Sequence, residues 1–213
     1  MRQEDVRAGA APEWLREVAA AASSMSVPAR MRPSATEGRP SAVLVLFGWQ
    51  PVDDVDVLLI QKTAGLRRHA GQPAFPGGAQ EPVDSGPVAC ALREAQEETG
   101  LNPSGIEVLD PLPELYLPHS GFRITPVLAW WHTPTPVRPA DPGEVAAVSR
   151  VPLTELADNQ VRVRHPDGST GPGFRVRRML VWGFTGVILR HLLVLGGWVP
   201  ERVPDHAPLV TPP

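Results

Sequence analysis

The chain has one cysteine in 213 residues, no large excess of either charge sign and no long apolar run. Each absence removes a class of protein. A lone thiol, Cys90, excludes an intrachain disulfide and suits a reducing compartment, so a cytoplasmic setting is expected. Lysine and arginine together number 20 against 23 acidic residues, a formal net charge of −3. That balance does not describe a general nucleic-acid binder or a membrane-surface protein. The most apolar stretch, residues 180–195, is too short to span a bilayer and is broken by Arg190 and His191. The N-terminus carries no apolar run of signal-peptide length, so export is not expected. No internal repeat is present.

What remains is an ordinary globular composition, 42% apolar, with 26 prolines crowded into the ends and loops. One domain with decorated ends is the natural expectation. Residues 12–22 have Trp14, Leu15, Val18 and Ala22 on one side of a short amphipathic helix, able to dock on its own domain or on a second subunit. Residues 27–41 read as a Pro/Arg-rich linker. Strands are expected at 42–49, 55–61, 114–117, 123–131 and 145–151, and a hairpin from 161–164 and 174–178. A helix follows over 180–195 and stops at Gly196-Gly197. The expected division is residues 1–41 as helix and linker, 42–197 as the domain, and 198–213 as a disordered tail. Strands interleaved with two long helices imply an α/β (α+β) fold, a mixed sheet with the acidic helix on one face and the C-terminal helix on the other.

The rest of the chain is organised around residues 77–101, GGAQEPVDSGPVACALREAQEETGL. A glycine pair opens it. Ser85 or Gly86 can cap a helix, Pro87 suits its first turn, and Gly100 sits where helices stop. Val88, Ala91, Leu92 and Ala95 share one arc, which would face the core. Glu94, Glu97 and Glu98 fall on an adjoining arc, so their carboxylates should converge. Three such groups repel one another unless something positive sits among them. Hard oxygen ligands suit Mg²⁺ or Mn²⁺, which in turn bind phosphate oxygens. A solvated acidic face is the plain alternative.

The residues 93–101, Arg-Glu-Ala-Gln-Glu-Glu-Thr-Gly-Leu, resemble the R-E-U-x-E-E-x-G-U half of the Nudix box. The upstream half departs from the general pattern, with Asp84 at the acidic position and eight residues between it and Arg93. That longer loop is similar to the coenzyme A pyrophosphatase branch. So is a second signature in register just upstream: Leu58-Leu59-Ile60-Gln61-Lys62-Thr63, Arg67, Gly71 and Phe75-Pro76-Gly77-Gly78. Ile60, Lys62 and Thr63 are mild departures from it. The resemblance covers about residues 40–195, its motifs residues 58–101.

The resemblance implies a Nudix-type α/β/α sandwich and metal-dependent hydrolysis of CoA or acyl-CoA to 3′,5′-ADP and 4′-phosphopantetheine. It implies Glu94, Glu97, Glu98 and the Gly78 carbonyl as ligands of Mg²⁺ or Mn²⁺, with Arg93 orienting Glu97. Glu144 is expected as general base, with Glu97 or Glu98 as the competing assignment. Arg67, His69 and Lys62 are expected to supply positive charge for substrate phosphates, with structural ion pairing as the alternative for each, and Gly71 to shape their loop. Asp84 is given a supporting role and Cys90 none. The arginines 162, 164, 175, 177 and 178 on the expected hairpin could meet a 3′-phosphate, but a solvated ribbon is the plain reading. The expected partner is a CoA-type nucleotide, with no nucleic acid or membrane, and a homodimer is possible. NADH or ADP-ribose hydrolysis, or a non-catalytic nucleotide sensor, are the alternatives.

Overall fold

The computed structural model describes residues 9–24, 27, 32, 38–50, 54–65, 71–118, 120–165 and 168–212. Arg67 and His69 lie outside them. The chain opens with helix α1 (Glu13–Ser23), followed by strands β1 (Arg39–Gln50) and β2 (Asp54–Lys62) and the short β3 (Pro73–Ala74) and β4 (Gly77–Ala79). Helix α2 (Pro87–Thr99) precedes β5 (Ile106–Pro111), β6 (Leu115–Leu117), β7 (Phe122–Trp131) and β8 (Val145–Pro152). Helix α3 (Leu153–Asp158), strands β9 (Gln160–Arg164), β10 (Thr170–Val176) and β11 (Met179–Val181), helix α4 (Gly183–Leu195) and β12 (Leu209–Val210) complete it.

Among the described residues, eight strands form one mixed sheet with the path β3-β2-β1-β7-β5, to which β4, β6 and β8 add beside β1, β7 and β2. The pair β1–β7 is parallel and aligns Leu44 with Val127 and Val45 with Leu128. Because side chains alternate across a strand, this register sorts the apolar residues into two cores. Ala42, Leu44, Leu46, Leu58, Val127, Ala129 and Trp131 face α2, which contributes Cys90, Ala91 and Ala95. Val45, Phe47, Val57, Leu59, Leu128 and Trp130 face the other way, under α1 and α4. The expected sandwich is therefore observed. Helix α1 docks on its own domain, with Leu15 and Ala22 fully buried and Trp14 edge-on to Phe47 and Trp198.

Four expectations are corrected. The hairpin β9–β10 forms, but β10 starts at Thr170 and continues through a tight turn into β11, so residues 179–181 are strand and α4 begins only at Gly183. These strands and β12 build a second, four-stranded sheet. The tail beyond Pro200 is ordered against it: Leu209 and Val210 pair with Arg162 and Val163, and Arg190 donates to the carbonyls of Pro200 and Glu201 at 2.8 and 2.9 Å. Strand β5 and the short helix α3 lacked a readable period. Strand β1 starts three residues earlier than the apolar run suggests, because Arg39 and Pro40 pair with the partly exposed start of β7.

Candidate functional site

Helix α2 is built as its sequence dictates. Pro87 occupies the first turn after Gly86, and Gly100 ends the helix at φ +68°, donating to the Gln96 carbonyl at 2.8 Å. Its buried positions are Cys90, Ala91, Ala95, Glu98 and Thr99, so the apolar arc continues into Glu98. Two glutamates are thereby carried against the sheet.

There they meet β4. Gly77 and Gly78 lie beside Val43 and Ala42 of β1. A Cβ on Gly77 would stand 2.3 Å from the Ala42 carbonyl oxygen, and one on Gly78 would stand 2.5 Å from the Glu94 carboxyl group. Only glycine lets the backbone come this close to both neighbours. The Gly77 amide donates to Glu98 Oε2 at 2.8 Å. Glu98 Oε1 accepts from Lys62 Nζ at 2.5 Å. Lys62 is the only lysine of the chain.

The carboxylates do not converge on one another as expected. Among the described residues no group of three metal-ligating side chains is arranged to hold an ion. Cationic side chains separate them instead. Arg93 grips Asp84 with two bonds of 2.9 Å, Nε to Oδ1 and Nη2 to Oδ2. Its Nη1 reaches Glu97 at 2.9 Å and Glu94 at 3.1 Å, and Nη2 donates to the Ala79 carbonyl. Repulsion among the glutamates is thus offset by Arg93 and Lys62, the physical reason for the difference. Lys62, for which substrate phosphate and structural ion pairing are the two expectations, holds Glu98. Arg93 meets Glu97 as expected and is also the tie between α2, β4 and the Asp84 loop.

The electrostatics follow from burial. Glu98 is 3% exposed, and burial raises its pKa against the opposing pull of Lys62 and the Gly77 amide. Burial likewise raises that of Glu94, opposed by Arg93. The Arg93 guanidinium holds Asp84 down to about 2. Burial pushes the Cys90 thiol up to about 11, which makes it a packing residue rather than a nucleophile. Glu144 is exposed immediately before β8. Its carbonyl accepts from the Thr63 amide at 2.8 Å, one residue beyond Lys62, and its charge further raises the Glu98 pKa. Glu144 therefore stands at the rim of the same site.

The donors fit a hard divalent ion in type. Glu94 presses on the Gly78 main chain, Glu98 on the Gly77 amide, and both are carboxylates whose charge burial disfavours. Glu97 is turned toward Arg93, its side chain 60% exposed.

Beside Gln61, the residue before Lys62 on β2, Gly71 is in the left-handed region at φ +68°, and its carbonyl accepts from Gln61 Nε2. It borders a cleft of about 380 Å³ that Arg175, Arg178 and Trp182 also line. Arg177 and Arg178 close the β10–β11 turn with φ +47° and +64°. Such a two-residue turn favours Asn-Gly, and a side chain there costs about 1 kcal/mol or more. No glycine marks this turn, which is why sequence reasoning missed both the turn and the cleft.

This sandwich, with a glutamate-bearing helix entered through a glycine pair, defines the class. The NUDIX domain profile matches residues 38–169, and the chain belongs to the Nudix family. It is 37% identical over 178 residues to an uncharacterized Nudix hydrolase, NudL, of Cronobacter sakazakii, covering 80% of this chain and 90% of that protein. The Escherichia coli NudL is 37% identical over 169 residues, covering 76% and 85%. The crystal structure of RenU, a Nudix hydrolase from M. smegmatis, superposes with a TM-score of 0.54 at 20% identity, over 78% of this chain and 90% of that one. That likeness concerns the fold. Among the described residues no helix is long and apolar enough to cross a membrane.

Proposed function

We propose that this chain hydrolyses the pyrophosphate bond of a nucleoside diphosphate derivative with Mg²⁺ or Mn²⁺, and that CoA or acyl-CoA is the substrate, acting in the cytoplasm. One observation carries the reading. Lys62, within the CoA-type stretch though a departure from its pattern, and Glu98, from the Nudix box, are joined in one partly buried ion pair although 36 residues apart. That contact supports reading the two stretches as parts of one site.

In this reading Glu94, Glu98 and the Gly78 carbonyl hold the ion, and Glu97 completes the set. When bound, such an ion neutralises pyrophosphate charge and lowers the pKa of a water. The chain's own residues do the rest. Arg93 fixes the helix to β4 and orients Glu97 and Glu94. Glu144 at the rim, or Glu98 with its raised pKa, takes the proton of the attacking water, a contribution on the order of 10²- to 10⁴-fold. Arg67 and His69 are assigned to substrate phosphates. Gly71 lets the chain re-enter β3 in a left-handed conformation.

The test is product analysis with CoA and Mg²⁺ by mass spectrometry. It should yield 3′,5′-ADP and 4′-phosphopantetheine, and Glu98→Gln should lose at least roughly 10²-fold in kcat. Release of any other pair, or full activity in Glu98→Gln, contradicts the assignment.

A further inference from the structure

The cleft beside β3 has a charge pattern that the pyrophosphate site does not use. Among its lining residues are two arginines, Arg175 and Arg178, and no carboxylate. Both are exposed, and among the described residues neither has an ion-pair partner, whereas their neighbour Arg177 is held by Glu155 at 3.0 Å. Trp182 adds a flat aromatic wall, with His165 tilted against it at 5.6 Å between ring centroids. Gln61 and Thr211 add neutral polar groups. Two guanidinium forks match the oxygens of a phosphate, and an indole beside them suits a purine or ribose. The volume, about 380 Å³, is that of a nucleoside site rather than of a lone ion.

The turn that supplies Arg178 is itself informative. A side chain at φ +64° is strained, and glycine would relieve it. Strain of this kind gathers where a side chain has a function. The cleft also lies next to the pyrophosphate site along the chain. Gln61 and Lys62 are consecutive on β2; alternation sends Gln61 to the cleft and Lys62 to Glu98 on the opposite face.

We propose that this cleft is a subsite for the phosphorylated nucleoside end of the substrate, with Arg175 and Arg178 binding a phosphomonoester remote from the bond being cleaved. The inference rests on the CoA-type reading above, since that substrate class carries such a group. The subsite explains why a Nudix site would select CoA over nucleotides that lack the extra phosphate.

The test is calorimetric titration of the metal-free full chain with 3′,5′-ADP, with 5′-AMP and with inorganic phosphate. The wild type should bind 3′,5′-ADP at least about tenfold more tightly than the other two. Arg175→Gln and Arg178→Gly should each bring the 3′,5′-ADP to 5′-AMP ratio toward one. Arg178→Gly should do so with its Tm held or raised, so misfolding cannot account for the loss. Equal wild-type affinity for 3′,5′-ADP and 5′-AMP, phosphate binding as tight as 3′,5′-ADP, or an unchanged ratio in both variants overturns the subsite. Turnover separates the two readings. A chain that prefers 3′,5′-ADP but does not cleave CoA keeps the subsite and loses the proposed reaction. One that cleaves CoA without that preference does the reverse.

Discussion

Lys62 shows how a single side chain sets the character of the site. It is the only ammonium of a lysine in the chain, and it neutralises a glutamate that the fold has buried. Removing one partner of a buried pair leaves the other charge uncompensated, which costs about 3 kcal/mol. Lys62→Met should therefore be destabilised by that order, and the double variant Lys62→Met/Glu98→Gln should recover most of it, as urea denaturation can read. The loss has a pH signature. Without Lys62 the Glu98 pKa rises further above its ordinary 4.5, so the folded state holds a proton that the unfolded state releases. Stability of Lys62→Met then declines as pH rises from 4.5 through the folded value, and the defect is smallest in acid. A defect that is constant from pH 4 to 8 contradicts this. Asp84 behaves oppositely. Its pKa is depressed from 3.8 to about 2, so its stabilisation is complete above pH 4 and lost as pH falls toward 2. The stability gap between wild type and Asp84→Asn should be flat at neutral pH and close over that acid interval. At this scale the sequence was partly legible. The spacing of Arg93 and Glu97 predicted their contact, because a helix puts i and i+4 together. The Lys62–Glu98 pair could not be read, since it depends on where β2 lies relative to α2.

Among the elements, α2 and β4 work as a unit, and their glycines give the sharpest contrast. At Gly77 an added methyl would strike the Ala42 carbonyl and the Val43 Cα, both backbone. At Gly78 the nearest atoms it would meet are those at the end of the Glu94 side chain, which can swing away. Gly77→Ala should cost roughly 3 kcal/mol because a strand must shift. Gly78→Ala should stay within about 1 kcal/mol of wild type yet lose most of its activity, because Glu94 is pushed from the site. Thermal melts and turnover on the same preparations check both. Equal stability loss in the two variants contradicts the account. Elements with a long period were readable: α1, α2, β1, β2, β7 and β8 all stand close to where alternation or helical spacing puts them. Strands of two or three residues, such as β3, β11 and β12, carry no period. They exist because neighbouring strands offer open edges. The turn between β10 and β11 escaped for a different reason. It is made by two arginines where turn chemistry favours asparagine and glycine.

For the molecule as a whole, one mixed sheet separates two tasks. The face under α1 and α4 holds the larger apolar core, and the face under α2 holds a smaller one whose edge becomes the carboxylate site. The tail, laid on the second sheet through β12, closes the side of the fold where Thr211 borders the arginine cleft. Both proposed substrate-contacting regions meet at the end of β2, where Gln61 lines the arginine cleft and Lys62 holds Glu98. A substrate that carries both a pyrophosphate and a phosphorylated nucleoside is what the arrangement would select. The central claim is therefore one of substrate choice at a metal-dependent site. It is tested most directly by kcat/KM for CoA, NADH and ADP-ribose, measured side by side with Mg²⁺ and again after exhaustive chelation. The account predicts the highest value for CoA, by at least about tenfold, and no turnover of any of the three without metal. A value for NADH or ADP-ribose equal to or above that for CoA, or turnover that survives chelation, would contradict it.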